Sequence, residues 1–384
     1  MEREKLMYRL NEKTVKLVNE ILLYVLVIEF QLYGTVWAML NVSGKPYLIL
    51  YWGFVCLGLF KLCIQGNHWK DWLLILGFGI LAVLSWRASG DKTPLLFMLG
   101  VCCSRDLKLD RLMTADLAGR IVSALFLILF PLLGICPNQT ISMRGIERMF
   151  FGWQGPNGMG LSFLMICMEW MYLRHRRFRW FDYAGIMGIL VFVHVTANSR
   201  TAEVLMAAVL LAEAFAKLWE RYGKRWKEYV IWTWGCIFAL GMDLILPVFA
   251  LALYRWKKPE LMALSGSFIA RFQLPGMFLE AHGLSWFGSP YDPGIYDYLD
   301  MMFAYLVLHL GIVMALIALI LMAGTILYGY RKQNERFLLF FMILLLRSMA
   351  ESEHLNLLYA FLPVLLGLAF WNRGTGKLKD GKEQ

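Results

Sequence analysis

The sequence predicts an all-α, polytopic integral membrane protein of about twelve transmembrane helices with a large extracytoplasmic loop late in the chain. Three observations predict it. Of 384 residues, 59% are hydrophobic and only 17% charged, and the mean hydropathy is +0.55, beyond what soluble globular chains show. Apolar runs recur along the chain from Leu17 to Trp371, most of them long enough for a hydrocarbon layer that takes roughly twenty helical residues. Lipid offers the backbone no hydrogen bonds, so such runs must be helices, and the weak alternating segments of a membrane barrel are absent.

The expected helices follow in order. The first, 17–41, comes after a charged segment, Met1 to Lys13, that lacks a small-residue cleavage site and so reads as no secretory signal. Helices at 46–64, 71–89 and a short 93–104 are joined by turns that include Asn41–Lys45 and Ser89–Lys92. Helix 117–136 follows the basic residues Arg105, Lys108 and Arg111. Helix 157–174 opens after Pro156 and ends at Arg174, Arg176, Arg177 and Arg179. Helices 183–198 and 200–219 flank the turn Asn198-Ser199-Arg200-Thr201, and 229–254 follows Arg221, Lys224, Arg225 and Lys227. The last three are 300–329, ending at Arg331, Lys332 and Arg336, then 337–350 and 355–371.

Basic residues therefore crowd alternate connections, which the positive-inside rule makes cytoplasmic. With an even helix count the tail, carrying Lys377, Lys379 and Lys382, falls on the same side, so both termini are expected in the cytoplasm. Residues 1–384 read as a single membrane domain, with 255–299 as an extracytoplasmic cap within it. Topology accounts for the +10 charge: the cations are spread over short turns rather than along one groove, which argues against nucleic acid and leaves membrane lipid as their neighbour. The seven cysteines, Cys56, Cys63, Cys102, Cys103, Cys136, Cys167 and Cys236, lie almost wholly in apolar runs and read as small buried hydrophobes. Histidines are few and scattered, so no tightly bound metal and no cofactor is expected.

Two outward connections are long, Cys136 to Pro156 and Arg255 to Leu299. The second carries Phe268, Phe272, Phe278, Trp286, Phe287 and Tyr291 among polar residues, the composition of an ordered cap with short amphipathic helices. Isolated arginines mark this face against positive-inside pressure: Arg144, Arg148, Arg200, Arg271 and Arg347. A guanidinium keeps its charge and grips phosphate with two parallel hydrogen bonds, so these residues ask for an anion of the diphosphate kind. Snorkelling or ion pairing is the competing explanation for each, most of all for Arg144 and Arg347.

At these residues the chain resembles a family. Gly155-Pro156-Asn157-Gly158-Met159-Gly160, preceded by Arg148 and Gly152, resembles the arginine, glycine and Pro-Asn pattern of the O-antigen polymerase and ligase superfamily (Wzy-like). Asn198-Ser199-Arg200-Thr201-Ala202 resembles its Ser-Arg-Thr/Gly-Ala element. Arg271, the Phe287-Gly288 pair, Asp300 followed by Gly311, and the late Glu351 resemble further elements, so the likeness covers roughly 140 to 370. The chain departs from the family in having Met301-Met302-Phe303 after Asp300, and in lacking the histidine-bearing motif of the ligase branch; His282 is the loop histidine that remains.

The resemblance implies a glycosyltransferase of the bacterial cytoplasmic membrane, active on its outer face. It would polymerise polyprenyl-pyrophosphate-linked oligosaccharide repeat units, taking lipid-linked glycans as donor and acceptor with a chain-length regulator as protein partner. Arg200 and Arg271 would hold the pyrophosphate, with Arg148 as a third contact and Arg347 as a fourth. Asn157 would cap its helix or donate to phosphate. The acceptor proton would go to Glu351, His282 or Asp300; Asp292 and Asp297 read as turn residues. A ligase-type glycan transferase is the nearest alternative, and a flippase or transporter of lipid-linked sugar, or an envelope scaffold, the next. Carriers show two repeated halves with broken helices in matching places, whereas these halves look unlike.

Overall fold

The computed structural model describes residues 13–15, 17–18, 20–21, 45–64, 67–105, 107–135, 137–143, 145–153, 155–222, 227–263, 267–291, 299–351 and 362–372. They are overwhelmingly helical. Four helices are long and apolar enough to cross a membrane, Trp69–Ser89, Leu109–Leu132, Glu228–Glu260 and Ile312–Arg331, and shorter apolar helices occur at Val55–Ile64, Thr93–Cys103, Trp180–Thr196 and Leu362–Trp371. The others expected as spans are shorter or more charged: Pro156–Arg174, Arg200–Tyr222 and Glu335–Ser348. Most of the expected 17–41 helix, and 355–361 of the last one, lie outside the described residues, as do Arg144, Cys136, Asp292, Asp297 and the lysine tail.

Burial is inverted relative to a water-soluble protein. On Trp69–Ser89 the side chains of Leu73, Leu76 and Ile80 are exposed, whereas Ser85 and Ser89 are buried. On Glu228–Ala263, Trp234, Phe238, Ile245 and Val248 are exposed while Thr233 and Asp243 are buried. Helices that turn apolar faces outward and polar ones inward are built for lipid, which marks the protein as membrane-embedded. Cys56 and Cys63 belong to that outward face, correcting the expectation that they are buried; Cys102, Cys103, Cys167 and Cys236 are buried.

The chain divides into two compact units. Unit one comprises described residues of Met1–Gln65, Lys108–Leu246 and Asn334–Glu351, and unit two those of Gly66–Leu107, Pro247–Gln333 and Ser352–Gln384.

In unit one the connections expected to share one side are tied together by ions. Arg336 reaches Asp110 at 3.1 Å, and Arg176 reaches Glu228 at 2.6 Å and Glu335 at 3.4 Å. His175 lies 2.6 Å from Glu213 and 3.4 Å from Glu228. This end fixes helix directions. Gly160 packs on Ser199 and Ala202 so closely that a Cβ would sit 2.5 Å from that of Ser199, so Pro156–Arg174 and Arg200–Tyr222 start side by side and run parallel toward the His175–Glu213 contact. Cys236 bonds the Leu338 carbonyl and Ser348 bonds Asp243, so Glu228–Ala263 and Glu335–Ser348 also run parallel.

The opposite end of unit one holds an unexpected β-hairpin. Gln139–Met143 pairs antiparallel with Ile146–Phe151, and Gly145, at φ 73°, supplies the left-handed residue of the turn between Met143 and Ile146. Phe151 stacks on Phe192, and Gly152 presses on Leu127, which seats the hairpin on the bundle. Leu109–Leu132 starts well before the expected residue 117: Asp116, just outside the expected helix, pairs one turn on with Arg120, and both are buried.

In unit two, Gly367 packs against Val101 and Ser104, and Gly276 against the Tyr254 ring. The expected cap is largely helical: the helix from Glu228 reaches Ala263 across a kink at Lys257, where φ is −122° and ψ 31°, and Ser267–His282 follows. The expected continuous helix 300–329 is instead broken. Met302–Ala304 leads into a π-helical turn, Tyr305–Leu310, that ends at Gly311 before Ile312–Arg331 begins.

His175 makes the ionic end of unit one pH-sensitive. Burial disfavours its charge, but hydrogen bonds to Glu213 and Glu228 hold it up to about 9, against an ordinary 6.5. Its stabilisation is therefore complete below about pH 6.5 and lost as pH rises through about 9. Thermal unfolding should show on the order of 1–3 kcal/mol of stability lost across that window, and His175→Gln should flatten the dependence.

Candidate functional site

At the hairpin end of unit one, neither Arg148 nor Arg200 has an acidic partner among the described residues. Arg148, on the second strand, is only 9% exposed, and its Nε has no hydrogen-bond partner. Arg200 opens its helix in an exposed position, with no ion pair among the described residues. Asn198 precedes it at φ 47°, and Ser199 is buried against Gly160. Glu203, in the first turn, is taken by His194 at 2.9 Å. Two helix N-termini, at Pro156 and Arg200, thus point their free amides and dipoles toward this end. The expected cap at Asn157 is corrected: Gly155 occupies the N-cap with no side-chain bond, and Asn157 sits exposed in the first turn.

Arg347 and Glu351 lie at the same end, about 18 Å along the helix from the Glu335 ion pairs. Arg347 is 2% exposed, its carbonyl accepts from the Glu351 amide at 3.2 Å, and the Glu351 side chain is buried. Beside them Ser348 bonds Asp243, a buried carboxylate that sequence analysis passed over. Toward the other end, an apolar groove of about 310 Å³ opens among Ile121, Leu125, Phe163, Ile166 and Ile186, with Asp182 at its margin.

Unit two brings Arg271 and Asp300 into an ion pair at 3.0 Å, Nε to Oδ2. The glycines of the Phe287-Gly288 pair and of Gly311 meet as well: a Cβ on Gly311 would lie 2.4 Å from the Gly288 nitrogen, and one on Gly288 would lie 2.2 Å from the His309 carbonyl. The broken helix is healed by this strand-like segment. Ser289 N–H donates to the His309 carbonyl at 3.0 Å, Ile312 N–H to Ser285 at 3.0 Å and Val313 N–H to Trp286 at 3.1 Å. Non-helical backbone is tolerated at membrane depth where protein satisfies it, and π-helical turns favour functional sites.

Around this break lies a polar cluster that sequence analysis missed. His309 Nδ1 is 2.7 Å from the Ser289 carbonyl, which only accepts, so Nδ1 carries a proton. Its Nε2 faces Asp91 Oδ2 at 3.3 Å, and the Tyr305 hydroxyl donates to the same oxygen. Thr93 N–H donates to Asp91 Oδ1 at 2.8 Å. Burial opposes the charge on Asp91, but the neighbouring His309 ring and the hydrogen bonds from Tyr305 and Thr93 prevail and bring its pKa down to about 2. Tyr291 stacks on the His309 ring at 3.9 Å. His282 lies against Phe278 with ring centres 4.7 Å apart. The available signal was His309, an ionisable residue two positions before a glycine in an apolar run; Asp91 carries no local mark.

Comparison with protein-family models, with curated proteins and with solved structures finds no match to this chain.

The glycine contact is testable. Gly311→Ala and Gly288→Ala both demand a positive φ and force a Cβ into backbone, and each should cost about 2–4 kcal/mol in thermal unfolding. Gly283→Ala, at φ 70° with open space around it, should cost only about 1 kcal/mol.

Proposed function

We propose that the chain is a membrane glycosyltransferase that polymerises polyprenyl-pyrophosphate-linked repeat units into a surface or secreted polysaccharide. It would sit in a bacterial cytoplasmic membrane with both termini inside and its chemistry on the outer face. The observation that carries this reading is the anion-seeking end of unit one, where Arg148, Arg200 and two helix N-termini have no carboxylate partner among the described residues. A diphosphate supplies the charge such a surface lacks.

The chemistry requires little else. A hydroxyl oxygen of one lipid-linked glycan attacks the anomeric carbon of another from the side opposite the diphosphate. The carbon–oxygen bond to the diphosphate breaks, its electron pair leaves with the phosphate oxygen, and the hydroxyl proton passes to a base. Fixed guanidinium groups stabilise the charge that builds on the leaving oxygen. In this reading Arg200 and Arg148 hold a diphosphate on unit one, with Arg347 behind them and Glu351 as the nearby base. On unit two Arg271, oriented by Asp300, is the phosphate ligand, and His282 is the proton acceptor to test against Glu351. The apolar groove is of a size for a lipid tail.

A second reading is favoured by one observation, the broken helix at Gly311, since interrupted helices beside polar groups are how carriers build their sites. Movement of lipid-linked oligosaccharide across proteoliposomes without any polymer would select it.

Arg200→Ala and Arg148→Ala should insert and fold normally yet reduce polymer by roughly 100-fold, leaving single repeat units on lipid in extracted glycans. The lysine variants should recover little, because an ammonium lacks the planar fork. Polymer of normal length and yield in both alanine variants refutes the assignment.

A further inference from the structure

Between Leu109–Leu132 and Pro156–Arg174, unit one encloses a charge cluster that the glycan reading leaves unused. Arg120 is 2% exposed, Asp116 1% and Glu169 0%. Asp116 lies about 9 Å along its helix from Asp110, which binds Arg336 at the ionic end, so the cluster is inside the membrane-embedded bundle.

Both carboxylates reach the same nitrogen. The single hydrogen on Arg120 Nε is donated to Asp116 Oδ2. Glu169 Oε1 is 3.3 Å from that Nε but receives no hydrogen, and neither Glu169 oxygen has a hydrogen-bond partner. With both acids ionised, one guanidinium faces two carboxylates, and the three buried groups carry a net charge of −1 with no further cation against either carboxylate among the described residues.

Other charged groups on the elements packed against these two helices are paired elsewhere or, like Arg148 and Arg200, lie at the hairpin end. On Arg200–Tyr222, Glu203 pairs with His194, Glu213 with His175, and Lys217 donates to the Phe178 carbonyl. On Glu335–Ser348, Glu335 pairs with Arg176 and Arg336 with Asp110, while Arg347 is at the far end. On Trp180–Thr196, Asp182 takes Arg174 and Trp170. On Leu109–Leu132 itself, Arg111 pairs with Glu20. The Tyr172 hydroxyl, one turn from Glu169, donates to Asp110.

We infer that Asp116, Arg120 and Glu169 form a proton-binding site, with one proton resident on Glu169 at neutral pH. The proton cancels the surplus charge and turns one Glu169 oxygen into a donor toward the Asp116 carboxylate, while the other oxygen remains an acceptor toward Arg120. Asp116 and Arg120 then persist as an ion pair of zero net charge. The packing of the two helices is thereby linked to a bound proton, independently of whether the protein handles glycans.

The test uses infrared spectroscopy of the full-length protein in lipid and heavy water. Wild type should show a protonated-carboxyl C=O stretch at neutral pH that shifts when glutamate carboxyls are labelled with carbon-13 and is unchanged when sodium is replaced by choline. Glu169→Gln, which mimics the protonated acid, should lose this band and keep the wild-type melting temperature. Asp116→Asn should also lose it, because Glu169 then ionises to balance Arg120. A wild-type spectrum without a glutamate-derived band overturns the proposal whether or not the variants fold. Its persistence in Glu169→Gln does so too, and its appearance only without sodium would mean that a metal cation, not a proton, occupies the cluster.

Discussion

In lipid, neither a charge nor a backbone amide can be left to the solvent, and this requirement organises each unit of the protein. At the ionic end of unit one, Arg176, His175 and Arg336 are each matched by glutamates or Asp110, so Leu109–Leu132, Arg200–Tyr222, Glu228–Ala263 and Glu335–Ser348 are tied there by charge pairs. In unit two the same requirement is met by backbone. The chain departs from helix at Gly311, and the freed amides of Ile312 and Val313 are taken by the carbonyls of Ser285 and Trp286. Glycine is needed on both sides of that contact because any Cβ would occupy the space of the opposing main chain.

What sequence could read, it read through local signals. Arg200–Tyr222 begins at Arg200 as expected, and Pro156 marks a helix start because proline suits the first turn. Arginines on the far side of the basic connections stood out because they break a topological rule. Features that depend on distant residues were hidden. The hairpin is two short strands in a polar connection. The break at Gly311 lies in a long apolar run marked only by His309, and its pairing with Ser285–Ser289 is a contact between segments far apart along the chain. Asp91 and His309 are 218 positions apart in sequence, so no spacing rule joins them. The cluster of Asp116, Arg120 and Glu169 was hidden because Glu169 belongs to another helix.

The two ends of unit one differ in one respect that bears on function. At the ionic end, arginines and acids occur together, which is how a protein stabilises its own charges. At the hairpin end, Arg148 is buried and Arg200 is exposed, and the acid in reach of the turn, Glu203, belongs to His194. A buried guanidinium with an unpartnered Nε is costly, and a fold that only needed to close a bundle end would carry a neutral residue there. Two helix N-termini at the same end add positive potential. Such an arrangement becomes favourable when an external anion completes it. Under the function proposed above, a diphosphate on a membrane-borne lipid would approach this end of the bundle already oriented, with its tail in the hydrocarbon and its charge at the helix ends.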